Sequence, residues 1–300
     1  KQKAFLEDCG LNLFYGSLAY LECQTMDQIE GVFNGSFELV ENIKISPFSR
    51  AYTFSDSIYE VVPFYNSKAI AFDMHIKRLL RSSNELSIAL DIEQASKEIT
   101  QLISSCSSEN GYVYYQVTRG QDIIRAHMYS KLMDIETFGY VLPFSFKTKT
   151  LKVMICEDIR WGRCDIKSTS LLGNVMQMNS AQKQDCDEVI MHKENILTEA
   201  GASNLFFVKN GTVCTPGLSK NILPGITRAL LIKEIKKMNI PLIEGNFDLT
   251  DLSNASSAWL SSSTKGLAPI TEIVNLENIL DTQEPIYLKC KEAFDYKFFS

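Results

Sequence analysis

The chain has 300 residues, 45% of them hydrophobic, 10% aromatic and 22% charged, with a formal net charge of −6. This length suits about two domains, each able to enclose a core. The acidic balance, with no basic run to reverse it, excludes general nucleic-acid affinity, so an anionic ligand must be held by a few placed cations.

The 8 cysteines are scattered without a CxxC pair, which reads as reduced thiols in a cytoplasmic protein. The 3 histidines include no HxxxH or HExxH pair, so no protein-held metal is expected. LNLFYGSLAYL, residues 11–21, is too short to span a membrane, and no signal-peptide pattern surrounds it. Residues 1–32 match no motif and are set apart as an N-terminal extension of unknown role.

Residues 33–72 alternate short apolar runs with turn signals and are expected to form strands. YEVVPFY and AIAF pair there as a hairpin around Asn66-Ser67. HIKRLLRSSNEL predicts a helix from His75, with Ile76, Leu79 and Leu80 on one face, and IEQASKEITQLISS predicts a second. GYVYYQVTRG reads as a strand with Val113, Tyr115 and Val117 on one side, ending at Gly120. Residues 144–150 lack periodicity and join a small α/β domain, 33–143, to a larger one, 151–300. In the second block LKVMICEDI is a strand and a helix runs from about Leu172 to Lys183. DEVIMH is a strand, and NLFFVKNGTVCT is a hairpin on Asn210-Gly211. A helix begins after Pro224-Gly225 with Leu230, Leu231, Ile235 and Met238 inward, and AWLSSS and APITEIV complete the sheet. Mixed strands and helices in two blocks give a two-domain α/β (α+β mixed) protein.

Lys167 stands among small and apolar neighbours in RWGRCDIKSTSLLGNV. Such a lysine either packs its stem and sends its ammonium to water, or serves as an amine nucleophile for carbonyl chemistry. Glu199, in LTEAGASN, is expected between two strands, as a surface charge or as a placed carboxylate. Gly225, Ile226 and Thr227 open a helix, where free N–H groups and the dipole suit a phosphate, unless Pro-Gly is only an entry turn. Four consecutive hydroxyls, Ser261 to Thr264, either bind phosphate oxygens or cap local backbone. Of Lys77, Arg78 and Arg81, two are expected in solvent and one turned inward to a phosphate. Arg125 and His127, if their backbone is extended, point the same way and form a cationic fork for a carboxylate; a loop arginine and a surface histidine are the alternative. An amine, a carboxylate, a phosphate cradle and such a fork together match the needs of pyridoxal 5′-phosphate and an amino acid.

Over roughly residues 33–275 the sequence resembles the fold-type IV pyridoxal-phosphate enzymes, and among them the bacterial D-amino acid aminotransferases. The matching stretches are YEVV, HIKRL, VTRG with RAH, EDIRWGRCDIKS with LLGNV, LTEAGASN with FFVKNG, ILPGITR and SSSTKGLAPITEI, in that order. The resemblance implies a smaller N-terminal α/β domain, a larger barrel-like C-terminal domain and a homodimer with its active site near the subunit boundary. It assigns Lys167 to the Schiff base with the cofactor and to the proton shuttle, and Glu199 to the pyridine nitrogen. Arg78, the backbone of Ile226 and Thr227, and the Ser263 hydroxyl are implied to hold the phosphate, with Leu223 on a ring face. Tyr59, Arg125 and His127 are implied to trap the substrate carboxylate.

Transamination from a D-alanine-like amino acid to 2-oxoglutarate, giving D-glutamate, is the expected reaction. Branched-chain L-amino acid transamination and aminodeoxychorismate lysis are the alternatives on the same fold, and a non-catalytic binding protein is a third. The pattern also departs from the family: Gly201 and Ala202 replace two serines, Ala51, Ser55 and Ser57 replace glycines, and SNASSAW replaces acidic residues.

Overall fold

The computed structural model describes residues 29–130, 133–276 and 280–299. Up to residue 28, the expected N-terminal extension lies outside the described residues, and residues 30–33 already form the first strand.

The first sheet has six strands in the order β2-β1-β6-β5-β3-β4. These are β1 (Glu30–Phe33), β2 (Ser36–Leu39), β3 (Ser57–Tyr65), β4 (Lys68–Ala69), β5 (Gly111–Thr118) and β6 (Glu136–Pro143), paired antiparallel throughout. Alternation along β5 buries Val113, Tyr115 and Val117 completely, as expected from period two. The Asn66-Ser67 hairpin also forms, with positive φ at both residues. AIAF does not continue as a strand: β4 stops at Ala69, Ala71 turns left-handed, and α2 (Phe72–Leu86) starts three residues before His75. RAYTF, in the stretch expected to be strands, is the one-turn helix α1 (Arg50–Phe54). The GYVYYQVTRG strand stops at Thr118, short of Gly120.

Helix α3 (Ile92–Ser105) is capped by Asp91, which accepts from the N–H groups of Glu93 and Gln94 at 3.0 Å. Leu79 of α2 and Ile99 and Leu102 of α3 cover one face of the sheet, packed on Val62, Phe64 and Tyr115. The other face carries Tyr59, Tyr114 and Tyr140, stacked ring to ring at 5.5 and 5.2 Å.

Residues 144–150 lead to a second, curled sheet of eight strands, ordered β12-β11-β10-β13-β14-β7-β8-β9. Its strands are β7 (Leu151–Glu157), β8 (Glu188–Lys193), β9 (Ile196–Ala200), β10 (Asn204–Lys209), β11 (Thr212–Pro216), β12 (Leu242–Gly245), β13 (Ser257–Ser262) and β14 (Gly266–Val274). Pairing is parallel between β14 and β7, β7 and β8, and β11 and β12, and antiparallel elsewhere. Asn210-Gly211 makes the expected turn between β10 and β11.

Helix α4 (Leu172–Gln182) packs near β8, and α5 (Ile226–Lys237) and α7 (Pro285–Phe298) cover Phe206 and Trp259. The short α6 (Leu249–Ser253) puts Leu252 into the core on the opposite face. On α5, Leu231 and Ile235 are buried as expected, Ile232 joins them, and Leu230 and Met238 are only partly covered. The mixed α/β architecture expected from the sequence is therefore present, with a cleft between the two sheets.

Candidate active site

The cleft is a cavity of about 360 Å³. Tyr59, Arg78, Lys167, Glu199, Leu223, Ile226, Thr227 and Ser263 all line it, although they come from both sheets and are spread over most of the chain.

Lys167 belongs to a segment that adds to the edge of β3. The Tyr59 N–H donates to the Lys167 carbonyl at 2.9 Å, Ile58 bridges Ser168, and the Thr169 N–H donates to the Ser57 carbonyl at 3.0 Å. The lysine is half-buried, and its Nζ lies 4.1 Å from the centroid of the Tyr59 ring. Two of the glycine replacements are absorbed here. Ser55 adopts φ 52° at the end of α1, and the buried Ser57 hydroxyl lies 2.6 Å from Thr169 Oγ1.

Glu199 lies on β9 itself, not between strands as expected, and is 5% exposed. Its Oε2 accepts from Asn204 Nδ2 at 2.9 Å and from the Leu223 N–H at 3.1 Å. Its Oε1 accepts from Arg160 Nη1 at 2.5 Å. Arg160 is also held by Asp158, whose oxygens accept from its Nε and Nη2 at 2.9 and 2.7 Å, and by the Asn221 carbonyl at 2.8 Å. Burial pushes the Glu199 carboxyl up to about 7, because Arg160 only partly offsets the loss of water and Asp158 adds a like charge.

Two residues after Leu223, Gly225 caps α5, and the Ala229 N–H donates to the Gly225 carbonyl at 3.0 Å. The N–H groups of Ile226 and Thr227, two residues that line the cavity, thus precede the helical ladder, a place where an anion is favoured. A Cβ on Gly225 would overlap Asn204 Oδ1, so glycine lets this turn approach the residue that holds Glu199.

Arg78 is the inward arginine of its helix. It donates from Nε and Nη2 to the two oxygens of Glu60, at 2.7 and 2.8 Å, and from Nη1 to the Pro224 carbonyl at 3.2 Å. Burial opposes charge on Glu60, but Arg78 and His75 outweigh it and hold the carboxyl far below its ordinary range. Lys77 is exposed, whereas Arg81, expected in solvent, reaches back to Asp165 at 2.9 Å, two residues before the lysine.

Arg125 and His127 are not in this cavity. Their segment bends rather than extends, and both side chains are exposed. They still converge, since the Arg125 guanidinium lies 4.7 Å and the His127 ring 5.5 Å from the ring of Phe54.

Arg160, Asp158, Glu60 and Asn204 escape a reading of the sequence alone. The signal for the first two is the DxR spacing in EDIRW, which at the end of a strand puts both on one side.

The chain matches the amino-transferase class IV family over residues 57–273. It belongs to that family. D-alanine aminotransferase of Listeria monocytogenes (strain F2365) is 34% identical over 266 residues, covering 85% of this chain and 91% of the relative. D-alanine aminotransferase of Staphylococcus aureus (strain N315) is 34% identical over 277 residues, covering 89% and 97%. Among solved structures, the branched-chain amino acid aminotransferase of Escherichia coli superposes with a TM-score of 0.82 at 19% identity, covering 90% of this chain and 94% of that one.

A class IV aminotransferase is an enzyme dependent on pyridoxal 5′-phosphate, as the sequence leads one to expect. The residues present fit that cofactor. In the buried cluster two carboxylates, Asp158 and Glu199, face the one guanidinium of Arg160, so a protonated ring nitrogen beside Glu199 would complete the charge balance. The α5 N-terminus and Arg78 line the same cavity and would offer donors to its phosphate.

Proposed function

We infer that this aminotransferase moves an amino group between a D-amino acid, D-alanine-like, and a 2-oxo acid, with 2-oxoglutarate becoming D-glutamate. The observation that carries the reading is Lys167 and the buried Glu199 lining one cavity together with the N-terminus of α5. The two relatives named D-alanine aminotransferase favour the D-substrate class.

When bound, pyridoxal 5′-phosphate supplies an electron sink that acidifies the Cα–H of the amino acid. The Lys167 amine, which lines the cavity beside Tyr59, would take the proton from that Cα and deliver it to C4′ of the cofactor. Glu199, held by Arg160 and Asn204, keeps a proton at the ring nitrogen. Arg78, already locked by Glu60, holds phosphate oxygens together with the N–H groups of Ile226 and Thr227 and the Ser263 hydroxyl. Leu223 would pack on the ring, and Tyr59, backed by Tyr114, walls one side of the cavity.

Arg125 and His127 receive the substrate carboxylate in a homodimer, where the fork of one subunit stands at the cavity of the other. Two exposed apolar patches support this. Ile123 and Met128 flank the fork at 87% and 88% exposure, and Trp161 and Val175, which line the cavity, are 40% and 51% exposed. Cytoplasmic location goes with this reading; the described cysteines are all free.

A substrate panel tests the function: pyruvate formed from D-alanine and 2-oxoglutarate is expected, and turnover of L-leucine alone would overturn it in favour of the branched-chain class. Mixing Lys167→Ala and Arg125→Ala variants tests the dimer. Regained activity is expected, because one site in the mixed pair then has both its lysine and its fork.

A further inference from the structure

Helix α1 is a single turn, and none of its side chains belongs to the core packed beneath the first sheet. Its Arg50 is nevertheless 4% exposed. The Nε of Arg50 donates to Asp56 at 2.9 Å, and its Nη1 and Nη2 donate to the carbonyls of Ala126 at 2.7 Å and His127 at 3.3 Å. Asp56 is shared with Arg119, which donates to it at 2.8 Å.

One turn on from Arg50, the Phe54 ring lies 4.5 Å from the Arg50 guanidinium, 4.7 Å from that of Arg125 and 5.5 Å from the His127 ring. Positions i and i+4 of a helix share a face, so α1 offers one surface made of a cation and a ring to one loop. That loop, residues 122–130, has neither strand nor helix to order it. Its backbone carbonyls need donors from elsewhere, and Arg50 provides them.

We propose that Arg50 and Phe54 are positioning residues for the Arg125–His127 fork, and through it for a substrate α-carboxylate. Arg50 fixes the backbone by gripping the carbonyls of Ala126 and His127. The Phe54 ring seats both side chains at once, with the Arg125 guanidinium over its face and the His127 ring tilted against it. Two donors brought to one ring can be offered to one carboxylate. The inference rests on the reading of Arg125 and His127 as the carboxylate trap.

The test is steady-state kinetics of the cofactor-loaded enzyme with D-alanine, run alongside melting temperature and cofactor absorbance. Phe54→Leu and Arg50→Lys should each raise KM by about tenfold, equivalent to roughly 1.4 kcal/mol, with kcat, melting and cofactor absorbance unchanged. Phe54→Tyr keeps the ring and should keep the wild-type KM. In a background with both Arg125→Ala and His127→Ala, Phe54→Leu should add nothing further, since its effect passes through those two side chains. Wild-type KM in both Phe54→Leu and Arg50→Lys, beside a raised KM in Arg125→Ala, would overturn the proposal and leave the functional reading intact. Loss of melting temperature or of bound cofactor in both variants would also overturn it, by making the residues structural. An unchanged KM in Arg125→Ala is a different result and would sink the carboxylate trap itself.

Discussion

Arg160 donates to Glu199 at 2.5 Å while Asp158 grips the same guanidinium at 2.7 Å, all three nearly closed to solvent. Burial makes Glu199 hard to ionise, the guanidinium it shares with Asp158 offsets this only in part, and its carboxyl rises from 4.5 to about 7. The folded, cofactor-free enzyme therefore holds a proton that the unfolded chain has released. Its stability should fall as pH rises from about 4.5 to about 7. Glu199→Gln should flatten that dependence, read as melting temperature across the interval. With cofactor bound, the same variant should lose about a hundredfold or more in turnover.

Lys167→Ala should reduce turnover by about 10²- to 10⁴-fold, the range for a lost general acid–base group, while melting changes little. The half-buried side chain carries no core packing, so its removal leaves no large cavity. Borohydride reduction of the loaded wild type followed by peptide mapping should label this lysine; an unlabelled Lys167 would refute its role.

Arg78→Ala strands the fully buried carboxylate of Glu60 and should destabilise the protein by about 3–5 kcal/mol. The double variant Glu60→Gln with Arg78→Ala should recover much of this in urea denaturation, but not the affinity for cofactor. Glu60 also sets an acid limit. Its folded-state carboxyl lies below 4.5, so the pair's contribution is complete above that value and is lost as pH falls.

Gly225→Ala drives a methyl group into Asn204 Oδ1. Destabilisation of about 1–3 kcal/mol is expected from the overlap. Because Asn204 also donates to Glu199 and to the Leu223 carbonyl, cofactor affinity should fall with it, as measured by titration of the cofactor-free enzyme.

Where period and turn chemistry carried the signal, the sequence was enough. Val113, Tyr115 and Val117 alternate cleanly into the core, and Asn66-Ser67 and Asn210-Gly211 form the turns their residue types favour. The C-terminal helix α7 went unread although Pro285 opens it and Glu284 caps it. Strand β6 was hidden because Gly139 breaks its apolar alternation, at a spot where a Cβ would press on Tyr115 and Leu102.

The cavity residues were legible as types in motifs, but their support was not. Glu60 belongs to the same YEVV run as Tyr59, yet faces the opposite side of β3 and meets Arg78 only through the packing of α2. Arg125 and His127 were placed on one face by assuming an extended chain. The bent loop brings them together by another route, the ring of Phe54, which no spacing rule contains.

The backbone of Lys167 is stitched to the edge of the first sheet, whereas Glu199 is a residue of the second. A molecule anchored to both would add a strut between the two sheets to the bonds that Arg78 and Arg81 already make across them. Any tilting of one sheet against the other would be felt as tension along the cofactor, so its arrival should stiffen the whole enzyme as well as arm it.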